Sequence, residues 1–168
     1  MQTQTAVSQI RERLGGISDL YNRLILLVGP AKSGKTRILR ELAATENASL
    51  LNVGLEVSKQ LLDLTERQRT LQLPEILENA LIGPRSELAV LDNIEVLFNP
   101  ALRQDPLRLL KGLSRSRNIV SSWSGSLDDG NLIYAVPEHP EFRRDVAKDV
   151  LIVPIGNEHE QNLSGRNT

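Results

Sequence analysis

Eight consecutive residues, Gly29-Pro30-Ala31-Lys32-Ser33-Gly34-Lys35-Thr36, concentrate more recognisable chemistry than any other stretch. They read G-x-x-x-x-G-K-T, the pattern of a loop that cradles phosphates. Glycines at 29 and 34 permit torsions and close approaches that a side chain would block. Successive backbone N–H groups can then surround a β-phosphate, helped by the positive end of the following helix. Lys35 supplies a point charge for the β- and γ-phosphates. The Thr36 hydroxyl is the kind of ligand Mg2+ takes while it keeps most of its waters. The run from Gly29 to Thr36, with Arg37 next to it, is the expected nucleotide contact.

Binding a nucleotide is one step and hydrolysing it is another. The metal needs an acid at the end of a neighbouring strand. Asp92 fits, because Leu88-Ala89-Val90-Leu91 precedes it. The attacking water needs a base. The residue after Asp92 is Asn93, which cannot accept a proton. Glu95, three positions beyond Asp92, and Glu56, after the second expected strand, are level candidates. If neither reaches the γ-phosphate, the protein binds ATP and switches shape without turning it over quickly. Ser121 and Ser122, at the expected end of a fourth strand, could sense the γ-phosphate. Arg103, Arg108, Arg115 and Arg117 could each supply the arginine that neutralises developing charge, in cis or from a neighbour; Arg143-Arg144 is a further basic pair. The expected ligands are therefore ATP and Mg2+.

These groups need a scaffold that places them together. Arg23-Leu24-Ile25-Leu26-Leu27-Val28 reads as a buried strand leading into the loop. Residues 35–44 have the spacing of a helix with Ile38, Leu39, Leu42 and Ala43 on one face. Further strands are expected at 49–53, 87–91, 118–122, 131–136 and 150–153. Helices are expected over 5–21 (broken at Gly15-Gly16), from Leu55 to about 64, from Pro74 to a stop at Gly83-Pro84, and from Pro100 to Ser114. Residues 65–73 read as a polar loop, 124–130 as a turn, and 141–148 as at most one helical turn. Tyr21, before the first strand, is a candidate neighbour of the nucleotide base; Trp123 is expected in the core. Alternating strands and helices predict a three-layer α/β domain with a mostly parallel sheet of about five strands. Its ligands should bind beyond the carboxyl ends of the strands. Residues 1–155 are expected to form one domain and 156–168 a disordered tail.

Composition narrows the function classes. Hydrophobic residues are 40% and aromatics only 3% of the chain, so the core is aliphatic. The net charge of -1 gives no global pull toward nucleic acid. With no cysteine, disulfides, thiol chemistry and Cys-ligated metals are excluded. His139 and His159 lack ligand spacing. The N-terminus does not read as a signal peptide and no apolar stretch is long enough to span a membrane, so a cytoplasmic location is expected.

These motifs are those of P-loop NTPases of the AAA/RecA-like type. A narrower resemblance lies in Asn52-Val53-Gly54-Leu55-Glu56, in Leu91-Asp92-Asn93-Ile94-Glu95, in Asn99-Pro100-Ala101-Leu102, in Asp105-Pro106-Leu107-Arg108-Leu109-Leu110, and in Tyr134-Ala135 with His139-Pro140-Glu141. Across about residues 20–153 the chain resembles the BrxF-like small P-loop proteins of BREX (bacteriophage exclusion) systems. The resemblance implies a role in phage defence beside a methyltransferase and other proteins of the system. It implies nothing about mechanism. No segment corresponds to the helical lid of larger relatives, so an oligomer or a subunit of an assembly is expected. A small nucleotide or metabolite kinase, with residues 65–73 as its lid, and a non-hydrolysing scaffold are the alternatives.

Overall fold

The computed structural model describes residues 2–81 and 87–156. Five parallel strands make the central sheet: β1 (Leu24–Gly29), β2 (Ser49–Asn52), β3 (Leu88–Asp92), β4 (Asn118–Asp128) and β7 (Leu151–Pro154), in spatial order β2-β3-β4-β1-β7. β5 (Asn131–Tyr134) and β6 (Arg143–Val146) extend β4 as an antiparallel ribbon. Every residue of β1 is buried, as a central parallel strand requires, whereas β2 at the edge is mostly exposed.

Alternation along β1 sorts its side chains between two cores. Leu24, Leu26 and Val28 pack with α3 (Val53–Leu61), α4 (Glu66–Ala80) and α5 (Pro106–Leu113). Ile25 and Leu27 pack with α1 (Gln2–Leu14) and α2 (Lys35–Glu46). Helices thus cover both faces, giving the expected three layers with a mostly parallel sheet. The expected count of five strands holds for the parallel sheet, but its fifth member is β7; the 131–136 segment runs antiparallel. Among the described residues no helical lid is present and no helix is long and apolar enough to cross a membrane. The expected helix stop at Gly83-Pro84 and the tail from 157 lie outside the described residues.

Several local expectations are overturned. The 65–73 segment is helix, the first half of α4. Thr65 and Gln68 form a reciprocal capping box that starts it. Pro74 therefore lies inside α4 and not at its start. Proline has no N–H, so the Thr70 carbonyl loses its helical donor. The Gln104 side-chain amide donates to that oxygen at 2.9 Å and to Leu102 O at 3.0 Å. Gln104→Ala should leave two carbonyls short of a partner and lower stability by about 1–2 kcal/mol. A urea midpoint unchanged from wild type would contradict this.

The expected helix over 100–114 is two pieces. A 3-10 turn at Pro100–Leu102 ends where Arg103 adopts φ 51, and α5 restarts under an Asp105 cap. β4 does not turn at 124 but runs on to Asp128. Gly125, which resembles a turn residue, marks a close strand pairing: a Cβ there would sit 1.9 Å from Ile133 O. Residues 143–146 form β6 and not a helical turn. Trp123 is fully buried, donates to Ile133 O at 3.2 Å and meets Phe98 edge-on at 5.1 Å.

Candidate nucleotide-binding site

The phosphate loop leaves the carboxyl end of β1 and enters α2 without a side-chain cap. Both glycines are needed for geometry. A Cβ on Gly29 would lie 2.6 Å from the Ile155 side chain and 2.8 Å from Ser33 Oγ. Gly34 has φ 96, the left-handed conformation that side chains resist. Lys32 also turns left-handed, with φ 61, and points into solvent. Pro30, Ala31 and Arg37 are exposed around the loop, and Ser33 is half-buried. The first-turn amides of α2 therefore face outward at a helix N-terminus, the arrangement that receives anions.

Lys35 is buried and its ammonium donates to Gly29 O at 2.8 Å and Pro30 O at 2.6 Å. Burial pushes its pKa below the ordinary lysine value of 10.5, and the charges of Glu95 and Asp92 oppose that shift. The sign is clear: a depressed lysine loses its proton at lower pH than a free one. Because phosphate attraction needs the ammonium, ATP affinity should fall as pH rises and should do so before 10.5. A Lys35→Arg variant, whose guanidinium stays charged, should show a flatter profile over the same range. Parallel profiles for the two proteins would contradict this reading.

Asp92 ends β3, is buried, and accepts a hydrogen bond from Thr36 Oγ1 at 2.7 Å. The two expected metal ligands, 56 residues apart in sequence, thus meet at one point. Both offer hard oxygen, which suits Mg2+. The next residue, Asn93, has φ 52, a left-handed turn that asparagine tolerates better than most residues. That turn starts the 3-10 segment Ile94–Phe98. Glu95 within it accepts from Ser124 Oγ at 2.7 Å. Ser124 stands opposite Gly29 in the β1–β4 register. So the structure brings Glu95 to β4, beside β1 and level with Gly29, and Lys35 feels its charge. Glu56 lies in the first turn of α3, half-buried, with a 3.4 Å contact from Gln60 on its own helix.

Ser121 and Ser122 are not at a strand end. They pair with Leu26 and Leu27 inside the sheet and are fully buried. The hydroxyl level with the loop is Ser124, which the sequence reading assigned to a turn. The signal for it was the alternating serines 122, 124 and 126, which face one side of a single strand. Tyr134 was also missed as a neighbour of the site. It stacks on Phe98 at 3.6 Å, and its phenol is pushed up to about 12 by burial, then by Glu141 and Glu95. The three clustered rings of Phe98, Trp123 and Tyr134 thus hold the segment that carries Glu95.

The other candidates sit elsewhere. Tyr21 precedes β1 at the end opposite the loop, separated by about 16 Å of strand, so it does not border the nucleotide base. Arg117 at the start of β4 donates to Leu81 O at 2.6 Å and pairs with Glu78 at 3.3 Å; it clasps α4 to the sheet and is not free to act as a finger. Arg103, Arg108 and Arg115 are exposed beside α4 and α5, away from this chain's own loop. Arg143 is held by Asp145 and Asp105, and Arg144 lies 3.8 Å from Asp128.

No family model and no curated protein matches the chain. Several solved structures follow a similar chain path. PCH-2 of C. elegans is 14% identical over 92% of this chain and 41% of its own, with a TM-score of 0.45. A structure described as a DNA replication initiation factor is 13% identical over 94% of this chain and 47% of its own, with a TM-score of 0.47. AMPPCP-bound DnaA from Aquifex aeolicus is 14% identical over 70% of this chain and 36% of its own, with a TM-score of 0.42. The chain spans less than half the length of each of these structures.

Proposed function

We propose that this protein binds Mg·ATP in the loop Gly29–Thr36 and acts as an ATPase or ATP-driven switch. The observation that carries the reading is the convergence of two hydrogen-bonded pairs, Thr36–Asp92 and Ser124–Glu95, beside one glycine loop. Thr36 and Asp92 would hold the metal, which when bound neutralises charge on the phosphate oxygens. The loop amides and Lys35 bind and orient the phosphates. Glu95 is the base: its carboxylate takes a proton from water as the water oxygen attacks the γ-phosphorus. The bond to the β–γ bridging oxygen breaks, and ADP and phosphate leave. Ser124 holds the Glu95 carboxylate in place. Glu56 is the weaker candidate, because the group it accepts from, Gln60, is on its own helix.

The setting we infer is a phage-defence assembly of the BREX type, on the resemblance of the Asn52–Glu56, Leu91–Glu95 and Asp105–Leu110 segments to BrxF-like proteins. In that setting the chain serves other defence proteins, and a neighbouring copy or partner completes the site with an arginine. Calorimetry with and without Mg2+ tests the core of the proposal; no heat on addition of Mg·ATP would overturn it. Phosphate release measured against protein concentration tests the rest. Specific activity should rise with concentration, and a flat line would remove the neighbour from the mechanism.

A further inference from the structure

Away from the phosphate loop, a groove of about 580 Å³ runs between α4 and α5. Arg103, Arg108 and Arg115 line it, all three exposed. Two acids also line it, and both are already engaged. Glu78 pairs with Arg117. Asp105 caps α5 through the Arg108 amide and pairs with Arg143. Among the described residues no ion pair is made by Arg103, Arg108 or Arg115. The groove therefore carries uncompensated positive charge although the whole chain has a net charge of -1.

An exposed aromatic stands at one end of it. Tyr21 is 75% exposed, and the Arg115 guanidinium lies 5.3 Å from its ring centroid. A tyrosine ring offers a flat apolar face and a polar tip, the combination used at binding surfaces. Here it neighbours the last arginine of a basic track. A positively charged groove beside an open aromatic face is the arrangement that holds unpaired nucleic acid: arginines track the phosphates and the ring stacks a base. An acidic peptide would use the arginines but would have no use for the ring. A duplex would keep its bases stacked inside and leave the ring idle.

We infer that the α4–α5 groove, with Tyr21 at its end, binds single-stranded nucleic acid through its phosphates and one stacked base. This is independent of nucleotide binding at the loop. Each engaged phosphate releases condensed counterions, so affinity must fall steeply with salt.

The test is fluorescence anisotropy of the full chain with a labelled 15-nucleotide strand, as DNA and as RNA, at two salt concentrations. Binding of either strand is expected, weaker at the higher salt, with the better of the two identifying the sugar. Tyr21→Ala should weaken it about tenfold, the effect of one lost stack. Arg108→Ala should weaken it and lower the log–log salt slope by about 0.7. Both side chains are exposed, and circular dichroism confirms that each variant folds. The inference is overturned if no strand binds at low salt, if Tyr21→Ala binds like wild type, or if duplex of the same sequence binds equally. It is also overturned if the arginines prove to join two copies, seen as self-association lost in Arg108→Ala without any strand binding.

Discussion

Glu95→Gln is expected to reduce phosphate release by about 100-fold or more while ATP still binds. The substitution keeps the shape of the side chain and its ability to accept from Ser124, but an amide cannot take a proton. Calorimetry should therefore give a near-wild-type affinity, and the loss should fall on turnover. Glu56→Gln is expected to change turnover by less than about threefold, since Glu56 engages Gln60 and not the loop. The comparison is decisive in both directions. If Glu56→Gln is the inactive variant, the base lies on α3. If both variants turn over like wild type, neither carboxylate is the base. A Ser124→Ala variant tests positioning: it removes the hydroxyl that holds the Glu95 carboxylate, so turnover should fall while ATP affinity holds.

Lys35→Ala is expected to weaken ATP by about 10- to 150-fold, the loss of 1.5–3 kcal/mol from a charge-assisted hydrogen bond. Two effects oppose each other here. The variant loses the point charge aimed at the β- and γ-phosphates. It also relieves the cost of burying an ammonium, which offsets the loss of that donor to Gly29 O and Pro30 O, so the fold itself should not suffer greatly. Thermal unfolding without nucleotide is the control. A midpoint at or above wild type with lost affinity supports the phosphate role; retained affinity would remove Lys35 from the site. The stabilising shift that ATP gives the wild type should shrink in the same variant, because ligand stabilisation follows the ratio of concentration to dissociation constant.

Much of the fold was legible in the sequence. The Leu24–Val28 run, the loop, and the amphipathic spacing of Ile38, Leu39 and Leu42 are local signals, and local signals survive folding. The acid at the end of β3 was legible for the same reason: four apolar residues ahead of an Asp leave few alternatives. Where local signals misled, a distant partner had overridden them. Pro74 looked like a helix start, but Gln104 takes over the carbonyl it orphans. Gly125 looked like a turn, but it is the one residue that lets Ile133 O approach. Ser121 and Ser122 looked like a strand end because a Ser-Gly-Ser stretch follows, yet that stretch is held in β4 by β5.

The sequence by itself determined the phosphate cradle. Gly29, Gly34, Lys35 and Thr36 act through backbone torsion, charge and a hydroxyl within eight residues, and nothing remote is needed to read them. It also determined that the order of elements is strand, loop, helix. Only the tertiary structure decided which acid and which hydroxyl stand beside that cradle. The left-handed turn at Asn93 and the register of Gly29 opposite Ser124 bring Glu95 to β4 beside the loop, and no spacing along the chain announces that meeting. A contact between Thr36 and Asp92 spans 56 residues and depends on two strands being placed one apart in the sheet. Spacing along the chain carries no information about that placement, because it is set by which faces the helices must bury.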